Sequence, residues 1–267
     1  MLSLSRTAPR LATRCRTTTT TRPLLATLAT TQQPSKPRFS SSGATTSLPE
    51  FSLKDKVLVV SGGGRGLGLV QAEALLEAGA REVHAIDRLT SPGEDFARVA
   101  DKFSAASGSG SALQYHRIDV RESEALNGAV EAIAERHGRI DGLVAAAGVQ
   151  QATPALEYNQ EDSDRMLGIN VTGVFMTAQA LGRNLASEWG QLGIRVNTIS
   201  PGYIVTAMTE DLFKEHPEFR TNWTKENMLG RLSTPEEYRG AAVFLLSDAS
   251  SFMTGSDLRI DGGHAAW

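Results

Sequence analysis

Gly62, Gly66 and Gly68 sit at intervals that suit the grip of a pyrophosphate, within the run Ser61-Gly62-Gly63-Gly64-Arg65-Gly66-Leu67-Gly68. A chain that leaves a buried strand and enters a helix at once must reverse tightly. Gly62 permits that turn, Gly66 lets the backbone approach a phosphate, and Gly68 lets helix and strand pack closely. The first N–H groups of a helix have no partners within the helix and bind anions. Further along, Asp87 ends the next apolar run. A carboxylate there bonds both hydroxyls of a ribose and repels a 2′-phosphate; its other reading is an ordinary strand-end cap. This pattern points to a nicotinamide dinucleotide, with NAD(H) favoured. Arg65 and Arg88 keep NADP(H) possible, because either guanidinium could meet a 2′-phosphate.

The elements that must position these groups alternate along the chain. Residues 56–60 form a short β-branched apolar run, the mark of a parallel strand buried on both faces. The spacing predicts a helix over 69–78, ended by Gly79. Further strands are expected at 82–86, 113–118, 143–147, 195–199 and 258–260, with helices at 123–137 and 236–246. Strands alternating with helices predict an α/β fold, a Rossmann-type doubly wound parallel sheet. Val171, Phe175, Ala178, Gly182, Leu185, Trp189 and Leu192 recur at steps of 4 and 3, which reads as one apolar stripe on a single helix over 170–192. Residues 206–233 read as a polar, aromatic-bearing loop.

Residues 1–49 are of another kind. They hold seven of the 27 basic residues and none of the 30 acidic ones, which leaves residues 50–267 at −10 against −3 for the whole chain. A basic, hydroxyl-rich, acid-free start is the composition of a mitochondrial transit peptide; a disordered basic tail and a cytoplasmic protein are the alternative. Residues 50–267 are expected to form a single dinucleotide-binding domain. Its acidity disfavours nucleic acid as a partner, and no apolar run approaches the ~18–20 residues of a membrane span. The one cysteine, Cys15, lies in the basic segment, so the body has no thiolate metal site and no cysteine nucleophile.

The spacing Gly-x-x-x-Gly-x-Gly resembles that of the short-chain dehydrogenase/reductase family, over about 51–267. Ser61 stands where the family has Thr. The resemblance implies that Asp119-Val120 holds adenine, and that Ala145-Ala146-Ala147-Gly148 corresponds to the family's Asn-Asn-Ala-Gly with both Asn replaced. It implies that Asn170 is the helix Asn supporting the family's proton relay. In Pro201-Gly202-Tyr203-Ile204-Val205-Thr206, it implies nicotinamide carboxamide contacts through the Ile204 backbone and the Thr206 hydroxyl. The C-terminal run through Asp261-Gly262-Gly263-His264 looks most like fungal polyol and ketose oxidoreductases of the sorbose-reductase, mannitol-dehydrogenase and arabinitol-dehydrogenase type.

What the resemblance leads one to expect next is absent. The family donates its proton from a Tyr whose pKa is lowered by a Lys four residues on, and orients the carbonyl with a Ser. Here the residues four beyond Tyr115, Tyr158, Tyr203 and Tyr238 are Asp119, Asp162, Ala207 and Ala242. The gap reads as an in-frame deletion near Ala180–Leu181 that joins two family helices and removes the fifth family strand, leaving a six-stranded sheet. Asn170 alone would survive of the catalytic group. The expected function is an NAD(P)-dependent oxidoreductase by descent, acting on a small secondary alcohol or ketone and impaired in this chain. The alternatives are a nucleotide-binding pseudoenzyme and a non-functional splice or gene-model product. The family's homo-oligomer is expected with altered interface helices, and no metal is implied.

Overall fold

The computed structural model describes residues 27–30, 48–185 and 194–266. Its strands are β1 (Thr27–Thr30), β2 (Val57–Ser61), β3 (Glu82–Asp87), β4 (Ala112–Arg117), β5 (Gly142–Ala145), β6 (Arg195–Pro201) and β7 (Asp257–Ile260). They form one sheet in the order β4-β3-β2-β5-β1-β6-β7. All neighbours pair in parallel except β1, which is antiparallel to both β5 and β6.

Strand β2 shows why the sheet is covered on both faces. Its side chains alternate with period two, and every one is apolar up to Ser61. Leu58 and Val60 enter a core with Leu69, Leu75, Tyr238 and Leu245. Val57 and Val59 enter a second core with Leu126, Val130, Leu143 and Val174. Helices α1 (Gly66–Glu77) and α8 (Arg239–Leu246) supply the first core. Helices α3 (Ser123–His137) and α5 (Val174–Leu185) supply the second. Helix α2 (Glu94–Lys102) covers β4 on the α1 side.

The expected six strands are present, and the structure adds a seventh. Strands β5 and β6 are not direct neighbours. Instead Leu28 pairs with Val144 on one side and with Asn197 on the other. Two open strand edges offer a row of unpaired N–H and C=O groups, and the backbone of a four-residue segment satisfies both. These four residues belong to the basic segment 1–49.

The predicted helix over 170–192 also differs. Helix α4 (Gln160–Leu167), capped by the Asn159 side chain on Asp162 N, runs into a π-helical stretch, Gly168–Gly173, and then into α5. The wider turn rotates the buried face. Ile169, Gly173, Val174, Thr177 and Ala180 point inward, whereas Val171 and Phe175 are 42% and 49% exposed. Trp189 and Leu192 lie outside the described residues. Residues 206–233 hold two helices, α6 (Ala207–Glu215) and α7 (Pro217–Glu226). Thr206 and Thr209 cap the first reciprocally, and Pro217 opens the second, where its missing N–H costs nothing. No helix among the described residues is long and apolar enough to cross a membrane.

Candidate functional site

Above the C-terminal ends of β2, β3 and β5 lies a cleft of about 1180 Å3. The glycine turn forms its floor. Gly62 has φ +72°, and a Cβ there would stand 2.8 Å from the Ala147 backbone. A Cβ at Gly68 would fall on the Gly62 carbonyl oxygen, whereas Gly66, at φ +56°, faces open space. The close approach at Gly68 is therefore to the turn itself. Helix α1 begins at Gly66, three residues earlier than expected, and Arg65 before it makes no side-chain cap. Gly66, Leu67 and Gly68, the first residues of α1, border the cleft. A cradle in which a side chain would clash, at the open end of a helix, fits a pyrophosphate.

Asp87 ends β3 beside this turn. Its Oδ2 accepts from Gly64 N at 3.1 Å and its Oδ1 from Leu89 N at 3.3 Å. The carboxylate lines the cleft, as do exposed Arg65 and Arg88. Asp119 and Val120 close the far side. Arg121 donates to both oxygens of Asp119, and this bidentate partner holds the carboxyl below its usual range. Val120 is buried against Gly173, where any side chain would collide with it.

Leu67, Ala147, Gly148, Gly202, Ile204 and Thr206 also line the cleft. Gly202 is tied back by its N–H to Ile260 O at 2.9 Å, and a Cβ there would lie 2.8 Å from Asp261 Cα. The Thr206 hydroxyl accepts from Thr209 N, so it caps α6 while facing the cleft. Three expected residues stand behind the wall. Ser61 is buried and its hydroxyl accepts from Ala147 N at 3.4 Å. Pro201 ends β6. Asn170 is spent on Val149: its Oδ1 accepts from Val149 N at 2.9 Å and its Nδ2 donates to Val149 O at 2.8 Å.

Among the described residues, Tyr203 is the only tyrosine lining the cleft, and no lysine or histidine lines it. The Tyr203 hydroxyl donates to Glu226 at 3.2 Å while its ring stacks on Trp223 at 4.2 Å. Burial and then Glu226 push its pKa up. Tyr115 donates to Leu89 O and Tyr238 to Ile260 O, and burial raises both. Sequence reasoning missed Leu89, Ile118 and Ala207 on the wall; they are ordinary apolar residues whose position only the fold reveals.

A family model described as short chain dehydrogenase matches residues 56–185, and one described as enoyl-(acyl carrier protein) reductase matches 179–265. The short chain dehydrogenases/reductase notP′ of Aspergillus versicolor is 32% identical over 81% of this chain and 89% of its own length. The chain belongs to the short-chain dehydrogenase/reductase family. Within that family, the ribulose-forming D-arabinitol 2-dehydrogenase of Candida albicans is 30% identical, covering 82% of this chain and 96% of its own. A gluconate 5-dehydrogenase from Burkholderia cenocepacia, solved in complex with NADP and tartrate, superposes with a TM-score of 0.69 at 27% identity. That match covers 82% of this chain and 98% of the other. Short-chain dehydrogenases bind NAD(P), and open α/β sheets receive ligands at the carboxyl ends of their strands, where this cleft lies.

Proposed function

We propose that this chain holds a nicotinamide dinucleotide, NAD(H) in preference to NADP(H), and is a polyol or ketose oxidoreductase by descent whose turnover is impaired. The observation that carries this reading is the mismatch between the two halves of the cleft. The half at the glycine turn has every feature a dinucleotide needs. The other half offers, among the described residues, Tyr203 as its one phenol and no lysine beside it; Tyr203 is bonded to Glu226, with its pKa displaced in the wrong direction for a proton donor.

When bound, the nicotinamide ring supplies or accepts a hydride. The residues of this chain do the rest. Gly62, Gly66 and the N–H groups opening α1 bind the pyrophosphate. Asp87 receives the adenine ribose, Asp119 and Val120 wall the adenine, and Ile204 and Thr206 orient the carboxamide. Ser61, Gly148 and Asn170 keep the floor in place. Reduction of a ketone then lacks an acid to protonate the developing alkoxide, a contribution of about 10²–10⁴ in rate.

An internal deletion near Ala180–Leu181 accounts for the missing group. Two family models meet at 179–185, so their seam falls on that point. The match to the arabinitol dehydrogenase also runs over 274 positions while taking in only 82% of this 267-residue chain. Several dozen positions of the relative therefore have no counterpart here. The acid-free start supports delivery to the mitochondrion, and exposed Val171 and Phe175 support pairing with a second copy.

Fluorescence titration with NADH, beside rate assays with D-arabinitol, D-gluconate and the matching ketoses, tests the reading. Saturable NADH binding with turnover at background supports it. Turnover at the pace of an intact relative sinks it, and a chain that binds no NADH favours a non-functional splice or gene-model product. A chain that binds NADH, never turns over and alters an active relative is the pseudoenzyme.

A further inference from the structure

Three buried side chains near the end of β3 remote from Asp87 each bring an atom without a hydrogen bond into one cluster. They are Glu82 Oε1, His84 Nε2 and His137 Nε2. Glu82 and His84 are two apart and so share one face of β3. His137 is the last residue of α3, which packs beside them. The side chains are 8%, 1% and 1% exposed. His84 Nε2 stands 3.7 Å from Glu82 Oε1, His137 Nε2 stands 3.5 Å from Glu82 Oε2, and one ligand atom from each residue lies within 4.8 Å of the others. A buried carboxylate facing two imidazoles without a hydrogen bond among them is costly unless a further group joins them.

Their spacing matches a metal site. Tetrahedral zinc with bonds of about 2.0–2.1 Å puts its ligand atoms roughly 3.3 Å apart, and imidazole with carboxylate is a common zinc set. The surroundings fit as well. His84 Nδ1 lies 2.9 Å from His116 Nε2 on β4, so a proton on Nδ1 turns the lone pair of Nε2 toward the carboxylate. Two cations also face the cluster. Arg136 is 3.5 Å from Glu82 and its side chain is 61% exposed, so it has solvent to move into. Arg81 Nη2 is 3.4 Å from His137 Nδ1, a contact that metal binding at Nε2 would end by leaving a proton on Nδ1.

We propose that Glu82, His84 and His137 bind a divalent cation of the zinc class, with water as the fourth ligand, pinning β3 to the end of α3 on the side of the sheet away from the dinucleotide cleft. The site has no part in hydride chemistry.

The test uses the full chain, stripped with EDTA and titrated with zinc against a chromophoric chelator at neutral pH. The expected result is one equivalent bound and a melting temperature several degrees higher, reversed by EDTA. His137→Gln and Glu82→Gln should weaken binding by at least about tenfold. NADH titration should be unchanged by the metal, and His216→Gln should bind zinc like the parent. Equal affinity in the parent and both variants overturns the proposal, as does no binding at all. Should the variants fail to fold, cobalt in the parent chain decides. The strong visible bands of four-coordinate cobalt support the site, and only weak six-coordinate bands overturn it.

Discussion

Asn170 grips the backbone of Val149 from both ends of its amide, accepting from the N–H at 2.9 Å and donating to the carbonyl at 2.8 Å. The two bonds fasten the loop after β5 to the π-helical stretch before α5, and so set the cleft wall at Gly148 and Val149. Under the proposed cofactor reading, Asn170 acts as a positioning residue. Asn170→Ala should lose about 1–3 kcal/mol of stability, since two backbone groups lose their partner. Affinity for NADH should weaken severalfold. Asn170→Asp, which keeps the acceptor only, should fall between. Thermal unfolding and NADH titration on the same samples check both.

Gly68 and Gly66 should respond differently to alanine. At Gly68 the added methyl meets the Gly62 carbonyl, so the turn must open; NADH binding should be abolished and unfolding should occur well below the parent. At Gly66 the space is open and only the positive φ resists. That change should cost about 1 kcal/mol, while NADH affinity falls through loss of close phosphate approach. Equal effects at the two sites would contradict the assigned roles.

Asp87→Ser should weaken NADH binding about tenfold or more and leave NADPH binding equal or improved, because the carboxylate that repels a 2′-phosphate is gone. Arg65 and Arg88 already stand nearby. Paired titrations with both dinucleotides read the ratio directly.

Acid should destabilise the metal-free chain before most of its carboxylates titrate. His84 is held neutral down to about 3, against about 6.5 in an unfolded chain. Its contribution is complete above about pH 6.5. Below that the unfolded state takes up the proton first, so stability falls with pH by about 1.4 kcal/mol per unit until about pH 3. Burial lowers His116 and His137 in the same direction. Urea midpoints measured in EDTA should drop across this window, and His84→Gln should flatten the slope.

Removal of residues 1–49 should lower the melting temperature, because the backbones of β5 and β6 lose the partner lying between them. A truncated chain that melts at the same temperature would deny β1 a structural role.

The glycine turn was legible in the sequence because its constraint is local: Gly62 and Gly68 have no room for a side chain, and Asp87 follows at the end of the next strand. Strand β2 was legible because a run apolar at every step must be buried on both faces. The face of α5 was not legible. The stripe through Val171 and Phe175 assumes regular helical turns, and the π-helical stretch at Gly168–Gly173 rotates it outward. The histidine cluster left no local signal either, since only the β3–β4 register and the end of α3 bring His84, His116 and His137 together. Strand β1 was the least legible. Thr27–Thr30 pairs with strands far along the chain, and four residues are too few to show a period.

The placement of β1 sets an order of events during synthesis. Thr27 leaves the ribosome early, yet one of its partners, Thr198, is made only near the end. Without β1 the sheet parts between β5 and β6 into two ribbons, one of four strands and one of two.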